Sequence, residues 1–277
     1  MATGPIVRQT ALAVATPPSV RSRTDIVERL RAAGCVFADD EADVLISAAE
    51  TPDDLAAMVD RRVAGSPLEH ILGWAAFCGI RIAVDPGVFV PRRRSEFLVR
   101  EAASCARPGA VLVDLCCGSG AIGVAVTASV NTVELHAVDI DPAAVRCANR
   151  NVTAVGGHVY EGDLFAPLPA ALRGRVDVLI ANAPYVPTEE VELLPSEARL
   201  HEPRAALDGG IDGLDVHRRV AAGASRWLTP GGSLLIETSE RQAPLAVDIF
   251  AGAGLTPRVA SSDEMNATVV IGTTSGS

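Results

Sequence analysis

Lysine is missing from this sequence: all 24 of its Lys-plus-Arg positions are arginine. Without a side-chain primary amine there is no Schiff base with a carbonyl substrate, no anchor for pyridoxal phosphate and no phosphate-loop lysine. Aromatic residues are scarce, with two Trp and two Tyr, and the formal net charge is −10. A nucleic-acid binder usually shows a basic face and aromatic stacking platforms, so direct nucleic-acid binding is not expected. The six cysteines (Cys35, Cys78, Cys105, Cys116, Cys117, Cys147) form no C-x-x-C pair, and the five histidines are scattered. They read as free thiols in a reducing compartment, with no metal site. A membrane span is missing too, because the most apolar long run, 111–130, contains Asp114 and three glycines. The start of the chain has Arg8 and a brief apolar run at 11–15 followed by prolines, too short for a signal-peptide core. The expectation is a cytoplasmic monomer.

What the chain does contain is apolar patterning: 48% of its residues are hydrophobic and 21% charged, enough for one large or two modest folded domains. From about Thr24 to Gly73 the pattern is helical. One helix opens behind a Thr24 cap with Ile26, Val27 and Leu30 on one face; a second begins at Glu41; a third begins with Thr51 as N-cap and Pro52 in its first turn. The period then changes to two from Phe77 to Val84, with Asp85-Pro86-Gly87 as a turn and Val88-Phe89-Val90 after it, which predicts a β-hairpin. From Gly109 onward strands at 111–116, 133–140, 158–161, 176–182, 233–237, 258–261 and 268–273 alternate with helices. The pattern predicts an α/β fold with a mostly parallel seven-stranded sheet, closed by an antiparallel C-terminal hairpin at its edge. The expected domains are a helical domain at 1–75, a hairpin linker at 76–92 and an α/β domain at 93–277.

Three strand ends carry a nucleoside-binding pattern. The first strand runs into Asp114-Leu115-Cys116-Cys117-Gly118-Ser119-Gly120, a Gly-rich turn that opens a helix and lets backbone approach a ligand. The second ends in Asp139-Ile140, where an acid roughly 20 residues past the Gly loop suits a ribose diol. The third leads into Gly162-Asp163-Leu164, with Asp163 for an exocyclic adenine amine and Leu164 against the ring. A second phosphate-binding feature is lacking, which favours S-adenosylmethionine over NAD or ATP; its ammonium needs only an acid such as Asp114 nearby. The expected cofactor-binding residues are thus Asp114, Cys116, Gly118, Gly120, Asp139, Ile140, Asp163, Leu164 and Asn182. The run Val176 to Ile180 is a buried strand cut off by Asn182-Ala183-Pro184-Tyr185, at the sheet edge where ligands bind.

Together these motifs resemble the Rossmann-like class I S-adenosylmethionine-dependent methyltransferases, and Asn182-Ala183-Pro184-Tyr185 is similar to the Asn-Pro-Pro-Tyr box of enzymes that methylate a planar amide or exocyclic amine. Further motifs are similar to those of the protein-(glutamine-N5) methyltransferases that modify release factors: Arg61-Arg62, Gly65-Ser66-Pro67-Leu68, Ile71-Leu72-Gly73, Val84-Asp85-Pro86-Gly87-Val88, Pro91-Arg92, the 202–210 stretch from Glu202 to Gly210, and Asp212-Gly213-Leu214. The resemblance implies methyl transfer to a glutamine side-chain amide of a protein, with S-adenosylhomocysteine as product. It implies Asn182, Ala183, Pro184 and Tyr185 as the catalytic box, in which the Asn182 side-chain oxygen and the carbonyl of residue 183 accept the two amide N–H groups and Tyr185 packs on the flat amide. The resemblance also implies that the helical domain at 1–75, with the hairpin, recognises the protein substrate and that 93–277 is the S-adenosylmethionine-dependent methyltransferase domain. Asn182, Pro184, Tyr185 and Arg92 would contact substrate, and Arg92 to Arg94 would face an acidic patch on it or, on a ribosomal factor, nearby phosphate. This chain departs from the family pattern at Ala183 (usually Pro), at Arg93-Arg94-Ser95 (usually Pro-Glu-Thr) and at Cys116 (commonly Gly), which implies a paralogue. Two alternatives remain open from the residues alone: methylation of an exocyclic amine on a nucleic-acid base, and a non-catalytic S-adenosylmethionine-binding protein.

Overall fold

The structure, a computed structural model, describes residues 22–276; Arg8 and the apolar run at 11–15 lie outside them. The chain divides into two compact units, one ending at Ala64 and one beginning at Gly65. No helix among the described residues is long and apolar enough to cross a membrane.

The first unit is a set of three helices, α1 (Arg23–Ala32), α2 (Ala38–Ala48) and α3 (Pro52–Val63). Ile26, Val27 and Leu30 of α1 are buried, as their spacing predicts, with Leu45 of α2 and Val59 of α3. Thr51 caps α3 through a bond from the Asp54 N–H at 3.1 Å. The cap of α1 is Ser22 and not Thr24: the Ser22 hydroxyl accepts the Asp25 N–H and the Asp25 carboxylate accepts the Ser22 N–H, a reciprocal box that starts the helix earlier. Helix α2 starts at Ala38, before the expected Glu41.

The second unit opens with a short helix α4 (Leu68–Leu72), followed by β1 (Trp74–Phe77) and β2 (Ile80–Ala83), an antiparallel hairpin. Its turn is Cys78-Gly79 and not the expected Asp85-Pro86-Gly87. Both residues have positive φ (+49° and +75°), the conformation a two-residue hairpin loop requires. Pairing of Phe77 with Ile80 leaves Val84 to Val90 outside the ladder, where Val84, Val88 and Val90 are buried in the core beside helix α5 (Glu96–Cys105).

The remaining elements are β3 (Val111–Leu115), α6 (Ala121–Ser129), β4 (Glu134–Asp139), α7 (Pro142–Ala154), β5 (His158–Glu161), β6 (Val176–Ala181), α8 (Ser196–His201), α9 (Asp215–Ala224), β7 (Leu228–Thr238), α10 (Ala243–Gly252), β8 (Thr256–Ser262) and β9 (Ala267–Thr273). All seven expected strands form one sheet in the order β5-β4-β3-β6-β7-β9-β8. The first five are parallel, while β9 is antiparallel to both β7 and β8. Strand β7 starts earlier than its expected residue 233, because a register shift against β6 accommodates the Pro230-Gly231-Gly232 segment. Every residue of β3 is buried, since both faces of a central parallel strand are covered by helices. Alternate residues feed two cores: Leu112, Val178, Ile180 and Leu235 on one face, Val113, Leu179, Leu234 and Ile236 on the other. The carboxyl ends of β3, β4, β5, β6 and β7 thereby share one edge of the sheet.

Candidate active site

At that edge the β3–α6 turn holds its shape through left-handed backbone at Cys116, Gly118 and Gly120 (φ +55°, +56° and +77°). A Cβ on Gly120 would lie 2.6 Å from Val152 of α7, so packing demands glycine there, whereas a Cβ on Gly118 would meet nothing and would project beside a cavity. The Gly118 N–H donates to Asp139 Oδ2 at 2.8 Å, and Asp139 Oδ1 accepts the Asp141 N–H at 2.9 Å. Burial raises the Asp139 pKa, opposed by these two backbone donors. Burial also pushes the Cys116 and Cys117 thiols up, with the Asp114 and Asp139 charges adding to it, so neither is a ready nucleophile.

The cavity has a volume of about 450 Å³, and its wall includes Cys116, Gly118, Asp139, Ile140, Asp163, Leu164 and Asn182 of the expected cofactor residues. Ile140 is 61% exposed, an apolar side chain left uncovered beside Leu164, which suits a flat ring. Asp163 is matched by a residue that sequence reasoning missed: Arg219 of α9 donates to its Oδ2 at 2.6 Å. Asp114 is not in the cavity wall. It lies under the loop, where its Oδ2 anchors α6 by accepting the Gly123 N–H at 2.9 Å and its Oδ1 has no partner. Burial pushes the Asp114 carboxyl up to about 7, helped by the Asp139 charge and opposed by the Gly123 N–H.

Strand β6 delivers Asn182 to this edge. The Asn182 amide nitrogen donates a long bond, 3.4 Å, to the hydroxyl of buried Ser95, which leaves Oδ1 as the group turned elsewhere. Ala183 is buried, Pro184 lines the cavity, and Tyr185 turns away along the edge. The Tyr185 hydroxyl donates to Glu237 Oε1 of β7 at 3.1 Å, and Arg94 Nε donates to the same carboxylate at 2.9 Å with its guanidinium 5.8 Å from the Tyr185 ring centroid. Burial and the Glu237 charge hold the Tyr185 hydroxyl above its ordinary pKa.

The 202–214 stretch acts as the backing of the box. The Val186 N–H donates to Leu207 O (3.0 Å) and the Gly209 N–H to Val186 O (2.8 Å). Added Cβ atoms would stand 2.6 Å from Pro184 O at Gly209 and 2.3 Å from Tyr185 O at Gly213. Gln242 Nε2 donates to Tyr185 O and to Asp212 O, both at 2.9 Å, pinning box and backing together. Arg92 is committed within the protein: Nη2 donates to Glu202 at 2.6 Å, and the guanidinium stacks on Phe89, which lines the cavity. Of the three arginines expected to face an acidic partner, Arg92 and Arg94 are thus tied to Glu202 and Glu237. Ser95, Arg219, Glu237 and Gln242 were not singled out from the sequence. The one available signal was the position of Glu237 at the carboxyl end of an expected strand.

A family model described as methyltransferase small domain matches residues 79–212. The release factor glutamine methyltransferase of Geobacter sulfurreducens is 38% identical over 226 residues, covering 80% of this chain and 78% of that one. The chain belongs to the release factor glutamine methyltransferase family. The Gloeobacter violaceus member is 41% identical over 208 residues, 72% of this chain and 71% of its own. A 4-amino-L-phenylalanine/4-methylamino-L-phenylalanine methyltransferase of Streptomyces pristinaespiralis is 33% identical over 232 residues, 81% of this chain and 78% of its own. Among solved structures, a methyltransferase from Pyrococcus furiosus superposes with a TM-score of 0.55 at 15% identity, over 71% of this chain and 90% of that one, a likeness of fold.

Proposed function

We propose that this protein transfers the methyl group of S-adenosylmethionine to the side-chain amide nitrogen of a glutamine in a protein, in the cytoplasm. The observation that carries the reading is Asn182. Its nitrogen is held by Ser95, so its Oδ1 remains a free acceptor at the cavity wall. S-adenosylmethionine, when bound, supplies an electrophilic methyl group on a sulfonium. Gly118, Asp139, Ile140 and Leu164 would hold it: backbone close to the loop, a carboxylate for the ribose hydroxyls, and two apolar side chains about the adenine.

An amide nitrogen is a weak nucleophile because its lone pair is delocalised into the carbonyl. Asn182 Oδ1 and the carbonyl of residue 183 would each accept one N–H and hold the nitrogen as it loses planarity. Acceptors that bind better as planarity is lost stabilise the transition state over the ground state. Ala183 keeps that carbonyl and gives up only the stiffness of a proline. Phe89 and Pro184 line the cavity that would hold the flat amide, and Tyr185, held by Glu237 and Arg94, would close the wall.

A second reading rests on the Streptomyces pristinaespiralis relative, whose name specifies an aromatic amine on a free amino acid. An aniline nitrogen also offers two N–H groups to the same acceptors. Methylation of a nucleic-acid base is not favoured, because the relatives above are named for glutamine or amino-acid substrates. Labelled-methyl transfer to release factors and to 4-amino-L-phenylalanine, run beside Asn182→Ala, separates the two. We expect label on a protein glutamine and a loss of about 10²–10³-fold in kcat for the variant, the scale for deleting one transition-state hydrogen-bonding group. Label only on the free amino acid would sink the protein-glutamine reading.

A further inference from the structure

A second cavity of about 500 Å³ lies beyond Tyr185, and its wall includes Arg94, Tyr185, Glu237, Thr238, Ser262 and Asn266. It adjoins the first through two chain segments. Ser95 and Asn182 line the first cavity, while Arg94 and Tyr185, on the same segments, line the second.

The hydrogen-bonding groups of this wall are incompletely used. Arg94 donates through Nε to Glu237 and lies against Tyr185, and its side chain stays 44% exposed. A guanidinium carries five N–H groups, so most of its capacity is open. Glu237 Oε2 and Thr238 Oγ1 are buried without a partner. Buried polar atoms left unpaired are costly, and these two belong to consecutive residues that border the cavity.

The chemistry of the wall chooses among ligands. An isolated anion meets the Glu237 carboxylate, and an isolated cation meets Arg94. A polypeptide main chain presents carbonyl acceptors and N–H donors at short, regular spacing with no net charge, and it satisfies both kinds of group at once. We propose that this cavity is the subsite for the backbone flanking the target glutamine, with Arg94 as a positioning residue that donates to its carbonyls while the glutamine side chain reaches Asn182. The proposal rests on the glutamine reading above and extends it: recognition goes through peptide backbone beside the box, so it tolerates different flanking sequences.

The test compares two acceptors, a heptapeptide with a central glutamine and butyramide, which presents the side-chain amide without any backbone, with wild type, Arg94→Gln and Ser262→Trp. The Trp fills the cavity from the β8 side, away from the box. Wild type should methylate both acceptors, with KM about tenfold lower for the heptapeptide, the gain from one or two charge-assisted bonds. Because Arg94 also braces Tyr185 through Glu237, any change in kcat from Arg94→Gln should be the same for both acceptors, while the KM ratio between them should fall about tenfold, a split that a merely structural role would not give. Ser262→Trp should erase the heptapeptide's advantage and leave the minimal acceptor unchanged. Equal KM values for the two acceptors in wild type, or a Ser262→Trp effect of the same size on both, overturns the subsite while the glutamine reading stands. Transfer to neither acceptor overturns the glutamine reading itself, and the subsite with it.

Discussion

Buried at the end of β3, the Asp114 carboxyl is pushed up to about 7, while His217 on α9 is held down to about 4 by burial against β7. Between pH 4 and 7 native Asp114 binds more proton than the unfolded chain does, so its contribution to stability falls as pH rises. His217 has the opposite sign: between pH 4 and 6.5 the unfolded chain binds the proton, so stability is lost as pH falls through that window. The two slopes oppose each other in wild type. Asp114→Asn removes one of them and keeps an acceptor for the Gly123 N–H. Denaturant midpoints of the variant should therefore climb from pH 4 to 6.5 and exceed wild type above pH 7, by on the order of 2 kcal/mol after the cost of a buried amide N–H group. Equal profiles for the two proteins would mean that Asp114 ionises normally. Residue identity was readable in the chain here, but the role was not: an acid at a strand end is compatible with a ligand in the cavity or an anchor below the loop, and burial made it the anchor.

The element that decides the shape of the box is the 202–214 stretch packed behind it. Gly209 sits where a Cβ would come within 2.4 Å of Gly213 O and 2.6 Å of Pro184 O. Gly209→Ala must therefore displace the box backbone that carries Asn182 and Tyr185. Because the sheet and its two cores lie elsewhere, the expected outcome is a fall in kcat of about 10²-fold, the usual result of roughly 1 Å of misplacement. S-adenosylmethionine binding and the melting temperature should change little. A large drop in melting temperature with kcat intact would contradict this. At this scale the strand alternation was legible from periodicity and turn residues, and all seven expected strands form, with β7 beginning at Leu228 instead of the expected 233. The hairpin turn was not, because Asp85-Pro86-Gly87 is a stronger local signal than Cys78-Gly79, and only the burial of Val84, Val88 and Val90 overrides it.

At the scale of the whole molecule, every residue in the walls of both cavities belongs to the unit that begins at Gly65. That unit has its own two-faced core, so the 65–277 fragment should fold and bind S-adenosylmethionine with a Kd within about threefold of the full chain, as expected for parts that share no ligand contacts. Calorimetric titration of the two proteins would check it. A loss beyond tenfold would show that the three-helix unit contributes to the cofactor site.

The linear chain carried the class of the fold and placed the Gly-rich turn after β3 and the Asn182–Tyr185 segment after β6 at one sheet edge, because each is written in signals a few residues long: a period of two or of 3.6, glycines in a turn, a polar residue ending an apolar run. What it could not carry is the wiring between them. Arg92 meets Glu202 across 110 residues and Arg94 meets Glu237 across 143, so a triplet of arginines that reads locally as a charged face becomes two internal struts. Those pairings depend on β7 lying beside β6 and on the segment before α5 crossing the carboxyl edge of both. Neither fact has a local signature, and it is the packed sheet that brings these side chains together.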